Sequence, residues 1–147
     1  MDAVTVTGTA TLGTIATGTA DGLSTRQILR ATFDAADSGA IGTNSLGVTI
    51  PDNAIVYDGY IDVTDVLTGT GVLATCGIKM NADDDIFAAD TVTNAFKAVG
   101  IVATVPLGTA ATAVKTTAAR AISVVVGTEP VTGGTFTVVL EYDLQAQ

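Results

Sequence analysis

Hydrophobic and polar residues alternate near the end of the chain, and this pattern predicts β-strands. In residues 135–143, the apolar side chains fall on one face and the polar ones on the other, namely Phe136, Val138, Leu140 and Tyr142 against Thr135, Thr137, Glu141 and Asp143. Only Val139 departs from this period of two, which is typical of a strand with one solvated face. Residues 120–126 form a second apolar run, and the link between the runs contains Pro130 and two adjacent glycines. The two runs are therefore predicted to form an antiparallel hairpin.

Further alternating segments predict the other strands of the core. They are residues 25–36, 46–50, 55–67, 72–80 and 98–105, and residues 112–117 are expected to form a short approach to the final hairpin. A Thr-Gly-Thr-Gly turn joins 55–67 to 72–80, so this pair is predicted to form a second hairpin. Residues 81–90 are predicted to form a polar loop with one or two helical turns at 86–89. The side chains expected in the core are Phe33, Tyr57, Ile61, Phe136, Leu140 and Tyr142.

Seven or eight short strands without intervening helices predict an all-β protein. The architecture that fits best is an antiparallel β-sandwich, jelly-roll-like, over residues 25–147, and an immunoglobulin-like sandwich or a small barrel are alternatives. Residues 1–24 are rich in Thr, Gly and Ala and predict an extended N-terminal arm. That arm is either a mobile tail or a segment that orders by adding a strand to a neighbour. In the second case Val4, Val6 and Leu12 are the expected interface residues.

Composition and charge narrow the classes of function. The 147 residues carry 15 acidic and 6 basic side chains, a net charge of −9, which opposes binding to nucleic acid and to anionic membranes. The absence of histidine removes the usual general base, so no enzyme activity, catalytic residue or cofactor is expected. Cys76 lies in an apolar alternation and is expected to be buried. No targeting or membrane-spanning segment is recognised, which predicts synthesis in the cytoplasm.

Two groups of carboxylates are candidates for chemistry. Asp83 and Asp85 alternate as calcium ligands do at the start of a binding loop, but Ile86 and Val92 stand where an EF-hand needs Gly and Glu. Both are weak metal candidates, and the alternative interpretation is an acidic loop that is exposed to solvent. Asp58 and Asp62 share a strand face, and paired carboxylates are the catalytic groups of glycosidases, yet the chain lacks the tryptophan that commonly stacks on sugars. We expect no catalytic role for this pair.

Four segments of the sequence resemble a family of small tailed-phage virion structural proteins. They are residues 46–56 (LGVTIPDNAIV), 58–64 (DGYIDVT), 115–120 (KTTAAR) and 136–142 (FTVVLEY). The resemblance spans about residues 25–143, and its motifs are structural. It implies a capsid decoration or cement protein, commonly a jelly roll or related sandwich that clusters as a homotrimer.

On that resemblance, the expected function is to bind the major capsid protein on the outer surface of the virion and to stabilise the head shell. A sandwich with exposed edges and an arm suits such a role, since weak contacts are multiplied by symmetry. The alternative is a tail, neck or fibre component that binds a host receptor. A secreted carbohydrate-binding domain is a third reading, disfavoured by the missing signal peptide and tryptophan.

Overall fold

Two antiparallel β-sheets packed face to face make up most of the chain that the structure describes. The structure is a computed structural model, and it describes residues 26–144. Its strands are β1 (Gln27–Asp34), β2 (Gly42–Ile50), β3 (Ala54–Gly69), β4 (Thr75–Lys79), β5 (Phe87–Thr91), β6 (Gly100–Leu107), β7 (Val114–Lys115), β8 (Arg120–Gly127) and β9 (Val131–Leu144). The two helices are single turns, α1 (Ala35–Ser38) and α2 (Val92–Ala95). The predicted arm, with Val4, Val6 and Leu12, lies outside the described residues.

The strand order is that of a jelly roll. One sheet, called sheet I, has the order β1-β9-β3-β6, with the short β7 also paired to β3. The other, sheet II, has the order β2-β8-β4-β5. Four antiparallel pairs are nested from the two ends of the chain inward, namely β1 with β9, β2 with β8, β3 with β6 and β4 with β5. A jelly roll has this nesting, because its chain behaves as a long hairpin that is rolled up into two sheets. The prediction of a jelly-roll-like sandwich is confirmed.

Both predicted hairpins are wrong. Strands β8 and β9 belong to opposite sheets, and so do β3 and β4. Each predicted turn is instead a corner that carries the chain from one sheet to the other, and the two corners are bonded together. The backbone N–H of Thr70 donates to the Pro130 carbonyl at 3.0 Å, and that of Leu73 donates to Glu129 Oε2 at 3.2 Å. Alternation identifies the buried face of a strand but not its partner, because strands facing each other across a core carry the same pattern as strands side by side.

A β-bulge in β3 corrects a second expectation, the burial of Tyr57. Val56 lies opposite Tyr142, but the next pair is Asp58 with Glu141, so Tyr57 is an extra residue on β3. The bulge reverses the inward and outward positions, so Val56 points into the core on one side of it and Ile61 on the other. Tyr57 consequently lies on the outer face of sheet I.

Aromatic rings occupy the centre of the sandwich. Phe136 of β9 stacks on Phe33 of β1 at 4.9 Å and on Phe96 at 5.3 Å between ring centroids. Phe87 of β5 meets Phe96 edge to face at 5.4 Å, which joins the rings of the two sheets. The predicted burial of Phe33, Ile61, Phe136, Leu140 and Cys76 is confirmed, and Tyr142 packs against the core from a half-buried position.

The segment between β4 and β6 also differs from the prediction. Residues 86–89 were expected to be helical, but Phe87–Thr91 is strand β5 and pairs with β4. The helical turn follows it, as α2. Ile86, which is buried just before the strand, and Phe87, which packs partly buried against the core, fix this short edge strand, so packing rather than local preference decides the segment.

Candidate interaction surface

The structure shows no cluster of groups suited to metal binding in residues 26–144. No three or more His, Cys, Asp or Glu side chains come together there in a way that could hold a metal ion. In the same residues, no helix is both long and apolar enough to span a bilayer. Asp58 and Asp62 do share the outer face of sheet I, where they lie opposite Leu107 and Ile101.

The weak metal candidates Asp83 and Asp85 hold the loop between β4 and β5. Asp85 Oδ1 accepts a hydrogen bond from the Met80 N–H at 2.8 Å, and Oδ2 accepts from Asn81 and Ala82 at 2.7 and 3.1 Å. Asp83 forms an exposed ion pair with Lys79, with 2.9 Å between Oδ1 and Nζ. Asp85 therefore has a structural role in the loop, whereas Asp83 forms only a surface ion pair, and metal binding by them stays a prediction.

Strand β6, at one edge of sheet I, exposes apolar side chains to solvent. Its outward positions, here called the apolar strip, are Ile101, Ala103, Val105 and Leu107. Ile101 is 66% and Leu107 56% exposed. An edge strand with an apolar outer row is a surface that soluble proteins usually avoid unless it binds a partner.

The strip was missed in the sequence, where residues 98–105 were only recognised as a strand. Its signal is that outward and inward positions of this strand are both apolar, for example Ile101 beside Val102. That pattern would have indicated a second apolar contact, one on each face of the strand.

A cavity of about 490 Å³ continues the apolar surface beyond the strip. It lies between the outer face of sheet I and the loop that leads from β6 to β7, and its lining consists of Ile55, Tyr57, Gly108, Thr109, Ala110, Ala113, Lys115 and Asp143. The Gly108 N–H donates to the Tyr57 carbonyl at 2.6 Å, which fastens the loop to the bulge. Gly108 has φ +75°, a conformation that side chains other than glycine rarely adopt. The bulge and this glycine together shape the cavity.

Charged groups surround Tyr57 at one side of the cavity. The Arg26 guanidinium lies 5.0 Å from the centre of the Tyr57 ring, and its Nη1 is 3.0 Å from Glu141 Oε2. The Tyr57 hydroxyl donates to the same carboxylate at 3.4 Å. Burial raises the pKa of Tyr57, the Asp143 and Glu141 carboxylates act in the same direction, and Arg26 opposes them. Tyr57 therefore stays a neutral hydrogen-bond donor at neutral pH.

Asp143 is left without a partner for one of its oxygens. Its Oδ1 is shielded from solvent and accepts no hydrogen bond in the described residues. Opposite Asp143 in the register lies Ile55, and opposite Ile55 on its other side lies Lys115, so these three residues form a row across β9, β3 and β7. The row places a carboxylate and an ammonium group on either side of an apolar floor.

The chain matches no protein-family profile and no curated protein sequence. Solved structures with the same fold include a chain from the capsid of Ralstonia phage GP4, with a TM-score of 0.61 and 23% identity over 86% of this chain and 89% of that one. Another comes from the acid-stable capsid structure of Helicobacter pylori bacteriophage KHP30, with a TM-score of 0.61 and 12% identity over 84% of this chain and 90% of that one.

These comparisons show that the fold of the chain is one found in phage capsids. The covered shares are nearly equal in each pair, so each matched chain is close in length to this one. At such identities the likeness is one of fold, and it agrees with the phage structural family that the sequence resembles.

Proposed function

We propose that this chain is a non-enzymatic structural protein of a phage virion, namely a decoration or cement protein that binds the major capsid protein and stabilises the head shell. The observation that carries the proposal is the jelly roll shared with chains of similar length from two phage capsids. Jelly rolls occur in viral capsid domains and in lectins, so the fold alone leaves both classes open. The capsid origin of both neighbours favours the head over a tail, neck or fibre position.

The two outer faces of the sandwich differ in a way that suits attachment to a shell. Sheet I carries the apolar strip and the cavity. On sheet II, the outward positions of β2 and the adjoining part of β8 are small and largely polar, namely Thr43, Ser45, Gly47, Thr49 and Ala121. A protein with an exposed apolar row on one face can bury that row against a neighbour and leave the other face in water. We therefore propose that sheet I faces the shell and that sheet II faces outward from the virion.

Symmetry supplies the strength of such an attachment. A single edge strand offers a small contact, but copies joined as a homotrimer present it several times, and linked contacts multiply in affinity. The trimer is part of the same proposal and rests on the family resemblance. The arm that docks through Val4, Val6 and Leu12 is also part of it, and it rests on the composition of residues 1–24, which lie outside that resemblance.

The test uses capsids assembled without this protein. Purified protein is added, and occupancy is measured by quantitative electrophoresis of the reisolated particles. We expect Ile101→Asp to lower the affinity for capsids by about tenfold or more, because it places a charge within an apolar contact. Thermal release of the packaged DNA should occur at a lower temperature in the poorly decorated particles.

Ile41→Asp is the matched control, because Ile41 is also an exposed isoleucine, 57% accessible, outside the apolar strip. Both variants add one negative charge, so a general effect of charge on binding would lower occupancy equally. Equal occupancy of the Ile101→Asp variant and the unchanged protein would contradict the proposed face, and no binding of the unchanged protein would contradict the function.

A further inference from the structure

The cavity beside Asp143 has the features of a socket for a cationic side chain. We propose that it binds a lysine or arginine side chain presented by a partner polypeptide. The apolar part of its lining, including Ile55, Ala110 and Ala113, fits the aliphatic stem of such a side chain, and Asp143 fits the charged head. Its volume of about 490 Å³ leaves room for the stem and for part of the backbone that carries it.

The carboxylate of Asp143 lacks the compensation that buried polar groups usually have. Its Oδ1 is shielded from water and has no donor in the described residues, which is costly for a charged oxygen. The last torsion of an aspartate is soft, so the carboxylate can turn to present either oxygen to the cavity. A cation in the cavity would therefore offset a cost that the free protein carries.

The two cationic side chains at this surface, Arg26 and Lys115, form no ion pair with Asp143. Arg26 binds Glu141 at 3.0 Å, and no ion pair joins Asp143 to Arg26 or Lys115 within the described residues. Lys115 is separated from Asp143 by the Ile55 strand, two strand spacings or roughly 10 Å away in the backbone. Within the described residues, Asp143 therefore has no ion-pair partner that a cation from outside would have to displace.

The same surface already binds one cationic side chain by this chemistry. Arg26 lies over the Tyr57 ring and pairs with Glu141, which is two residues before Asp143 on the same face of β9. An arginine held between an aromatic face and a carboxylate is a stable arrangement. Tyr57 lines the cavity as well, so a second cation would bind beside the first, with Asp143 in the place of Glu141.

Identifying the partner as a protein of the head shell rests on the proposed function, but the socket itself can be tested on the purified chain. The probe is N-butylguanidinium, which reproduces an arginine side chain, titrated into ¹⁵N-labelled protein and followed by amide chemical shifts. We expect saturable shifts at Ile55, Tyr57, Ala110, Ala113 and Asp143. The Asp143→Asn variant should bind about tenfold more weakly or worse, because it removes a charge-assisted contact.

Three controls make the result decisive. N-butylurea has the same shape without the charge and should not bind. Asp65→Asn removes one exposed carboxylate elsewhere on β3 and should leave binding unchanged. Ala110→Leu fills the socket from an exposed loop and should abolish binding, which keeps the test valid if Asp143→Asn disturbs the fold. The socket is overturned if the unchanged protein shows no saturable shifts, if Asp143→Asn binds the probe equally well, or if N-butylurea binds as well as N-butylguanidinium. None of these results affects the capsid test.

Discussion

Asp83 and Asp85 are the same residue type in the same loop, but they differ in what they contribute to the structure. Both lie in the same acidic loop, and from the sequence they had the same standing as oxygen ligands. In the structure Asp85 closes the loop through three backbone N–H groups, whereas Asp83 meets Lys79 at the surface. The difference depends on where β4 ends and the chain turns back, which the sequence does not specify.

The first prediction follows from this contrast. Replacing Asp85 by Asn removes the negative charge and one acceptor oxygen, so two or three loop N–H groups lose a charge-assisted bond. The free energy of unfolding should fall by about 1–3 kcal/mol. Asp83→Asn, the matched control, should cost less than about 1 kcal/mol, as exposed ion pairs do. Urea unfolding of both variants measures the two costs, and equal costs would contradict a structural role specific to Asp85.

Cys76 gives a prediction that depends on pH. Burial in β4 raises the pKa of its thiol from 9.0 to about 12, while the thiol of the unfolded chain ionises near the ordinary value. Above pH 9 the unfolded state therefore loses a proton that the native state retains, and the free energy of unfolding falls as the pH rises. The slope due to this group is at most about 1.4 kcal/mol per pH unit. Below pH 9 both states hold the proton and the contribution is constant.

The measurement compares unfolding between pH 8 and pH 11 for the native sequence and for Cys76→Ala. Lysines and tyrosines titrate in both proteins, so only the difference in slope reports the cysteine. The variant should lose less stability with rising pH, although its absolute stability is lower because it leaves a small void. Parallel curves would show that the thiol ionises alike in both states.

At the scale of elements, alternation predicted strands well and their partners badly. The faces of β1 and β9 follow directly from the sequence, because Phe33 and Phe136 recur in step with their buried neighbours. Strand β5 was missed because its five residues contain one large apolar side chain, and residues 86–89 were instead predicted to form helical turns within a polar loop. The corners at Thr70 and Pro130 were read as hairpin turns, since the same turn residues serve both purposes.

Most of the interaction surface could not be derived from the sequence, for related reasons. Tyr57 is outward because of a bulge, and a bulge is defined by the strand opposite, here β9. The row of Asp143, Ile55 and Lys115 brings together residues from three separate strands. The apolar strip left a signal in the sequence, but its exposure to solvent follows only from the position of β6 at the edge of sheet I. Each feature depends on strand order, which alternation does not contain.

At the scale of the whole molecule, the two-sheet jelly roll leaves the outer face of sheet I free for binding. The apolar strip and the cavity lie on the outer face of sheet I, and the chain enters β1 at Arg26 on the same sheet, beside Tyr57 and the cavity. A segment that precedes Arg26 thus joins the described fold next to this surface. The proposed arm and the proposed face are two attachments at one side of the sandwich.

Removal of residues 1–20 separates these two attachments. Every described strand begins at or after Gln27, so the deletion leaves both sheets whole, and the melting temperature should change by no more than a few degrees. Capsid occupancy should fall, since one of two linked contacts is lost, and combining the deletion with Ile101→Asp should lower it further than either change alone. If deletion leaves occupancy unchanged while Ile101→Asp lowers it, sheet I alone holds the protein to the shell and Val4, Val6 and Leu12 have no docking role. If deletion abolishes binding and Ile101→Asp has no effect, the arm is the whole attachment and the apolar strip serves another contact.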